Sequence, residues 1–177
     1  MIGTALASAD VAPLRRRRII VGIGEFAISN DRDAVIVTHA LGSCVAVCVW
    51  DPVAGVGGLL HILLPDSRIN LVRATSQPAA FADTGIPLLF KTAYEYGVQK
   101  KRCSVRLVGG ADMGGLNTGS DAAIGKRNVL AVRSLLWRNG LFVDKELVGG
   151  RDARNVELSV REGRVQVTSG GQFAGEL

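Results

Sequence analysis

Short apolar and β-branched runs, broken by glycine, proline or aspartate, dominate this chain. That pattern predicts many strands and few helices. Arg18-Ile-Ile-Val-Gly-Ile-Gly24 predicts a first strand, and Ala34 to Thr38 a second. His39-Ala-Leu-Gly-Ser43 reads as a turn, and Cys44 to Trp50 as the strand that leaves it. Asp51-Pro52 opens a turn that runs to Gly55, and Gly57 to Leu64 reads as a strand stopped by Pro65-Asp66. Two apolar runs around one short turn predict an antiparallel hairpin, which places Cys44 and His61 on neighbouring strands.

Residues 66–80 are polar and read as a loop. Between Ala82 and Tyr96 the positions Ile86, Leu89, Phe90, Ala93 and Tyr94 recur at helical spacing, with Gly97 as a C-terminal cap. Pro87 favours a helix start close to it. Cys103 to Val108 predicts a strand that ends at Gly109-Gly110. Past a glycine-rich loop, Asn128 to Arg138 carries Val129, Val132, Leu135 and Leu136 on one face, and Gly140 caps it. Leu141 to Val148, Asn155 to Val160 and Val165 to Thr168 read as strands, the last two joined by a turn over Arg161-Glu-Gly-Arg164. These elements predict a single-domain α/β fold: layers of mixed, largely antiparallel sheet with two main helices packed on them. Residues 1–18 are expected to be a flexible leader ending in an arginine run, with the domain spanning 19–177.

Apolar residues make up 47% of the chain, which excludes a disordered polypeptide. Of the net charge of +5, Arg15 to Arg18 contribute four. The basic character therefore belongs to one segment, and a nucleic-acid-binding face is not expected. That segment reads as a solvated flank, or as a docking site for an acidic partner. No apolar run approaches the roughly 20 residues needed to span a bilayer. The late-lying charges and the early Glu25 do not fit a secretory signal. Cys44, Cys48 and Cys103 lack the CxxC spacing of a zinc site and are too few for a disulfide framework. Reduced thiols in the cytoplasm fit this usage.

Three glycine-rich stretches invite a nucleotide reading, and each fails. Gly22-Ile-Gly24 has no third glycine opening a helix. Gly119 to Lys126 has five residues between its glycines, and Arg127 stands where a phosphate loop needs Ser or Thr. Gly109-Gly110-Ala-Asp-Met-Gly114-Gly115 lacks a lysine. All three read as turn glycines. His39 and His61 lie apart from any acid or thiol at ligand spacing, so neither a metal nor any other cofactor is expected.

The chemistry centres on the thiols. Gly42-Ser43-Cys44 sets Cys44 just after a turn, where adjacent backbone N–H groups could face a reacting carbonyl. Cys48 sits between Val47 and Val49 and reads as a small buried hydrophobe. Cys103 follows Lys100-Lys101-Arg102, whose charges could lower its pKa, but no base lies nearby in sequence. The base must be a histidine. His39 lies on the turn before Cys44, and His61 on an apolar strand that should pair close by. Strand adjacency ranks His61 ahead and leaves His39 open. A partly buried imidazole beside a thiol can form an ion pair that raises the thiolate fraction.

The segment Val35-Ile-Val-Thr38-His-Ala-Leu41-Gly42-Ser43-Cys44-Val-Ala-Val-Cys-Val-Trp-Asp51-Pro52, followed by Gly58-Leu-Leu-His61-Ile-Leu-Leu-Pro65, resembles the signature of the CheD family, the chemoreceptor glutamine deamidases. Phe81-Ala82-Asp83, Val108-Gly109-Gly110-Ala111, Ile124-Gly125-Lys-Arg127-Asn128 and Gly149-Gly150-Arg-Asp-Ala-Arg154 resemble further family steps. The likeness runs over roughly residues 19–168. The resemblance implies a catalytic set of Cys44, His61 and Thr38, with Ser43 and Gly42 as backbone support for an oxyanion. It implies deamidation of glutamine side chains on chemotaxis receptors without a cofactor. The implied partners are the receptor's cytoplasmic helical bundle and, in some members, a CheC-type phosphatase. An alternative is a binding module that regulates such a phosphatase.

Overall fold

The structure, a computed structural model, describes residues 16–112 and 121–177. The expected leader falls mostly outside these residues, as does the stretch from Met113 to Ser120. The strands are β1 (Arg17–Ile20), β2 (Phe26–Ser29), β3 (Ala34–Leu41), β4 (Val45–Asp51), β5 (Val56–Ile62), β6 (Ser104–Gly109), β7 (Lys145–Val148), β8 (Arg154–Ser159), β9 (Val165–Ser169) and β10 (Gln172–Glu176). The helices are α1 (Leu71–Ser76), α2 (Ala82–Glu95) and α3 (Asp121–Arg138).

Two five-stranded sheets form, in the orders β1-β3-β8-β9-β10 and β2-β5-β4-β6-β7. Among the described strands only β1–β3 and β6–β7 pair in parallel, so both sheets are mixed and largely antiparallel, as expected. The expected hairpin is present, with Val45 opposite Ile62 and Ala46 opposite His61.

Strand β4 explains the layering. Val45, Val47 and Val49 pack toward Ile86, Leu89 and Phe90 of α2 and Val129, Val132 and Leu136 of α3. Cys44, Ala46 and Cys48 face the other way, into a core shared with Ile36 of β3 and Val156 and Leu158 of β8. The second sheet is therefore buried on both faces, which accounts for the unbroken apolar run from Val45 to Val49.

Several elements differ from expectation. Arg17 and Arg18 belong to β1, where they pair with Ala34 and Val35, and Arg18 Nη2 donates to Glu157 at 2.8 Å. The arginine run thus overlaps the first described strand. Strand β3 continues to Leu41 through an irregularity after Thr38, where a turn was expected. Residues 66–80 are not loop throughout. Asp66 and Asn70 accept from Arg68 N and Arg73 N and cap two short helical turns. Helix α2 starts at Ala82, ahead of Pro87. As the sixth residue of α2, Pro87 forfeits one backbone bond to the Asp83 carbonyl. The Asp83 carboxylate accepts from Ser67 N and Oγ at 2.9 and 2.7 Å.

Helix α3 begins at Asp121, upstream of the expected Asn128, so Gly125 is a helical residue and not a turn glycine. A Cβ on Gly125 would stand 2.5 Å from the Ala111 carbonyl oxygen and 2.7 Å from that of Gly110. Glycine is required there because α3 and the loop after β6 touch backbone to backbone.

Candidate active site

Thr38 and His61 meet between the two sheets, and Cys44 faces the same inter-sheet core. Thr38 follows Ala34 and Ile36 at every second position of β3, so it faces the inter-sheet core. His61 lies opposite Ala46 on the same side of the second sheet. Cys44, two residues before Ala46, is its diagonal neighbour, a relation that sets Cβ atoms somewhat less than about 7–8 Å apart.

Thr38 Oγ1 lies 2.8 Å from the Val21 carbonyl oxygen and 2.7 Å from His61 Nδ1. The hydroxyl has one proton, and the carbonyl can only accept. Thr38 therefore donates to Val21, and Nδ1–H of His61 donates to Thr38. This fixes the tautomer: Nε2 is left as an unprotonated lone pair. Nε2 is buried and has no hydrogen-bond partner. The Val21 carbonyl is itself held in place, because Val21 N donates to Val37 O at 2.8 Å and Gly22 N to Glu25 Oε2 at 2.9 Å.

Thr38 and His61 are fully buried, whereas Cys44 keeps 7% of its surface exposed. Cys44 is thus the least buried of the three. Burial raises the Cys44 pKa; its own backbone N–H and the Arg73 guanidinium partly oppose that rise. Burial also lowers His61 to about 4. Both shifts favour the uncharged forms. The resting pair is therefore a neutral thiol and a neutral imidazole, in place of the expected ion pair.

The remaining candidates sort by position. His39 is solvent-exposed at the β3 irregularity, and the neighbouring Ala40 has φ 57°. Cys48 is fully buried, and burial pushes its thiol up to about 12. Cys103 is pushed up to about 11, chiefly by burial, so the preceding basic residues do not activate it. Gly42 N donates to Ala40 O at 2.9 Å, and Gly42 O accepts from Ala111 N at 2.8 Å. The Gly42 amide therefore holds the turn and is not free for an oxyanion. Among the described residues, the amides of Ser43 and Cys44 donate to no backbone carbonyl.

Asn128 was legible in the sequence only as part of a helix start. It is fully buried on the apolar stripe of α3, and its Nδ2 donates to Ser43 O at 2.9 Å and Leu63 O at 3.0 Å. A lone amide one turn before Val132 on an otherwise apolar face was the available signal. Among the described residues no group of acids, thiols and imidazoles could hold a metal ion.

The family model described as CheD chemotactic sensory transduction matches residues 63–169. That segment starts after His61, so it includes none of the three site residues. A protein of Syntrophus aciditrophicus named probable chemoreceptor glutamine deamidase CheD 1 is 43% identical over 159 residues, which is 90% of this chain and 98% of its own. Its counterpart CheD 2 of Anaeromyxobacter dehalogenans is 45% identical over 156 residues, 88% of this chain and 97% of its own. The chemoreceptor glutamine deamidase CheD of Thermotoga maritima is 40% identical over 151 residues, 84% of this chain and 89% of its own. With matches of this extent on both sides, the chain belongs to the CheD family.

Proposed function

We propose that this protein is a cysteine hydrolase that converts glutamine side chains of methyl-accepting chemotaxis receptors to glutamate. It works in the cytoplasm, on the receptor's helical bundle. The observation that carries the reading is the buried Thr38–His61 hydrogen bond, which leaves Nε2 as a free base on the strand that pairs with the one Cys44 leads into.

The reaction begins with transfer of the Cys44 thiol proton to His61 Nε2 as Sγ attacks the carboxamide carbon. The carbonyl π electrons move to oxygen, where the Cys44 and Ser43 amides stabilise the oxyanion. The imidazolium then returns its proton to the departing nitrogen, the C–N bond breaks, and ammonia leaves. A thioester remains. His61 next takes a proton from water as the oxygen adds to the thioester carbon; the C–S bond then breaks and the imidazolium returns its proton to the departing sulfur. Glutamate and the free thiol result. Thr38 holds the imidazole in the required tautomer throughout. Since His61 is neutral at rest, it is ready to accept the thiol proton at neutral pH.

The test incubates the full chain with a receptor cytoplasmic fragment and follows ammonia release, with mass spectrometry locating glutamine-to-glutamate conversion. Wild type should convert specific glutamines, and Cys44→Ala should convert none. Cys48→Ala, Cys103→Ala and His39→Ala should retain most turnover. Conversion by Cys44→Ala at the wild-type rate would refute the assignment. Binding to a CheC-type phosphatase is the alternative role, and it would survive Cys44→Ala together with the cellular phenotype.

A further inference from the structure

We infer that Asn128 is a positioning residue for the oxyanion site: by holding the Ser43 carbonyl toward α3, it aims the Cys44 N–H at the reacting carbonyl oxygen. This inference rests on the reading of Cys44 as nucleophile.

The argument starts from peptide geometry. The Ser43–Cys44 bond is trans, since the described chain has no cis peptide. In a trans planar peptide the C=O and the following N–H point in opposite directions. Whatever fixes the Ser43 carbonyl therefore fixes the Cys44 N–H. Asn128 Nδ2 donates to that carbonyl at 2.9 Å. Its second proton goes to the Leu63 carbonyl at 3.0 Å. Leu63 stands just beyond Ile62, the partner of Val45, so Ser43 and Leu63 lie where the β4–β5 ladder has ended. There the two carbonyls would have no donor between them. A single amide bridges both and ties the nucleophile's turn to the strand that carries His61.

The opposite side of the peptide is kept open. The Cys44 carbonyl accepts from Gly110 N at 2.7 Å, but Gly110 does not take the Cys44 N–H in return. Gly110 adopts φ 62°, and its carbonyl oxygen lies where a Cβ on Gly125 would be 2.7 Å away. It is thus turned toward α3. At Gly109, with φ 112°, a Cβ would collide with the Cys44 carbonyl oxygen, so only glycine permits this approach. The Cys44 N–H is thus left for the oxygen of the tetrahedral adduct that forms when Sγ attacks. A buried asparagine on the apolar stripe of a helix, with its Oδ1 unpartnered, is costly unless it has such a task.

The experiment compares wild type, Asn128→Ala and the near-isosteric Asn128→Asp, which cannot donate when ionised. Three quantities are read on the full chain: kcat and KM for ammonia release from a receptor fragment, the iodoacetamide alkylation rate of Cys44, and the thermal melt. Alkylation displaces iodide at a methylene carbon and develops no oxyanion, so it reports thiol access and basicity alone. The expected result is a loss in kcat of about 100-fold, with KM and the alkylation rate each changed less than about threefold. An unchanged kcat overturns the inference. So does a parallel fall of alkylation and kcat, which would mark Asn128 as general packing. If neither variant folds, the wild type decides. Forming a hemithioacetal between Cys44 and a small aldehyde should shift the Cys44 amide proton downfield, and no shift overturns the inference. Failure of the underlying reading looks different: wild type would release no ammonia, or Cys44→Ala would still release it.

Discussion

Thr38 Oγ1 and His61 Nδ1 lie 2.7 Å apart, on strands that belong to different sheets. The bond joins the two layers at the site, and its polarity follows from the Val21 carbonyl that takes the hydroxyl proton. It makes Thr38 an acceptor from imidazole, the task a carboxylate performs in other triads.

Thr38→Ser should keep the hydroxyl and most of the turnover. Thr38→Val keeps the shape but loses the acceptor and leaves Nδ1–H buried and unpaired. It should lower kcat by about 10- to 100-fold, since general-base catalysis then depends on a disfavoured tautomer. Steady-state ammonia release from both variants checks this. Equal rates for Ser and Val would remove the orienting role.

Burial holds His61 at about 4, against an ordinary value of 6.5. The folded chain keeps a neutral imidazole in a range where the unfolded chain binds a proton. The stability linked to this group is therefore complete above pH 6.5 and is lost as pH falls from 6.5 toward 4. Urea unfolding across that window should show a steeper decline in wild type than in His61→Gln. The acid limb of kcat/KM for free enzyme should likewise lie near 4, not near 6.5.

Asp51, at the far end of β4 from Cys44, is a structural anchor. Burial pulls its pKa up, but the Arg102 guanidinium and the amides of Gln99, Ala54 and Val53 outweigh that and hold it at about 2. The Asp51 carboxylate is fully buried, and Arg102 Nη2 reaches it at 2.9 Å. Asp51→Asn should cost about 2–4 kcal/mol, because it leaves donors around a buried group without their charge partner. Activity per folded molecule should be unchanged. The wild-type advantage should fade as pH drops toward 2.

Gly125→Ala should push α3 off the loop after β6, since the new Cβ would meet two carbonyl oxygens. That loop holds Gly42 and Cys44 through Ala111 N and Gly110 N. The melting temperature and ammonia release should both fall, whereas Gly55→Ala, with open space around its Cβ, should leave turnover intact.

Much of the strand framework was readable along the chain. Core strands such as β4 and β5 announce themselves because burial on both faces demands unbroken apolar runs. Elements that draw their stability from neighbours were not readable. β2 and β10 are short and pair at sheet edges. The turns between Ser67 and Ala80 rest on side-chain caps and on Asp83, which is distant in sequence. The part of α3 ahead of Asn128 includes Gly125, in backbone contact with the loop after β6, which no periodicity reveals.

The order Thr38, Cys44, His61 and the likeness around them were present in the sequence alone, as was the choice of a thiol with a histidine base. Local spacing carries only the placing of Cys44 and His61 on neighbouring strands, and Thr38 enters through the likeness to the family. Strand adjacency could rank His61 over His39; only the tertiary structure buried the one and exposed the other. It alone set Thr38 against Nδ1 and the Val21 carbonyl against Thr38, so it alone fixed the tautomer. It also reversed the expected charge state, since desolvation between two packed sheets disfavours both thiolate and imidazolium. Asn128 joins the site for the same reason: a hydrogen bond across 85 residues exists only once α3 has docked on the sheet.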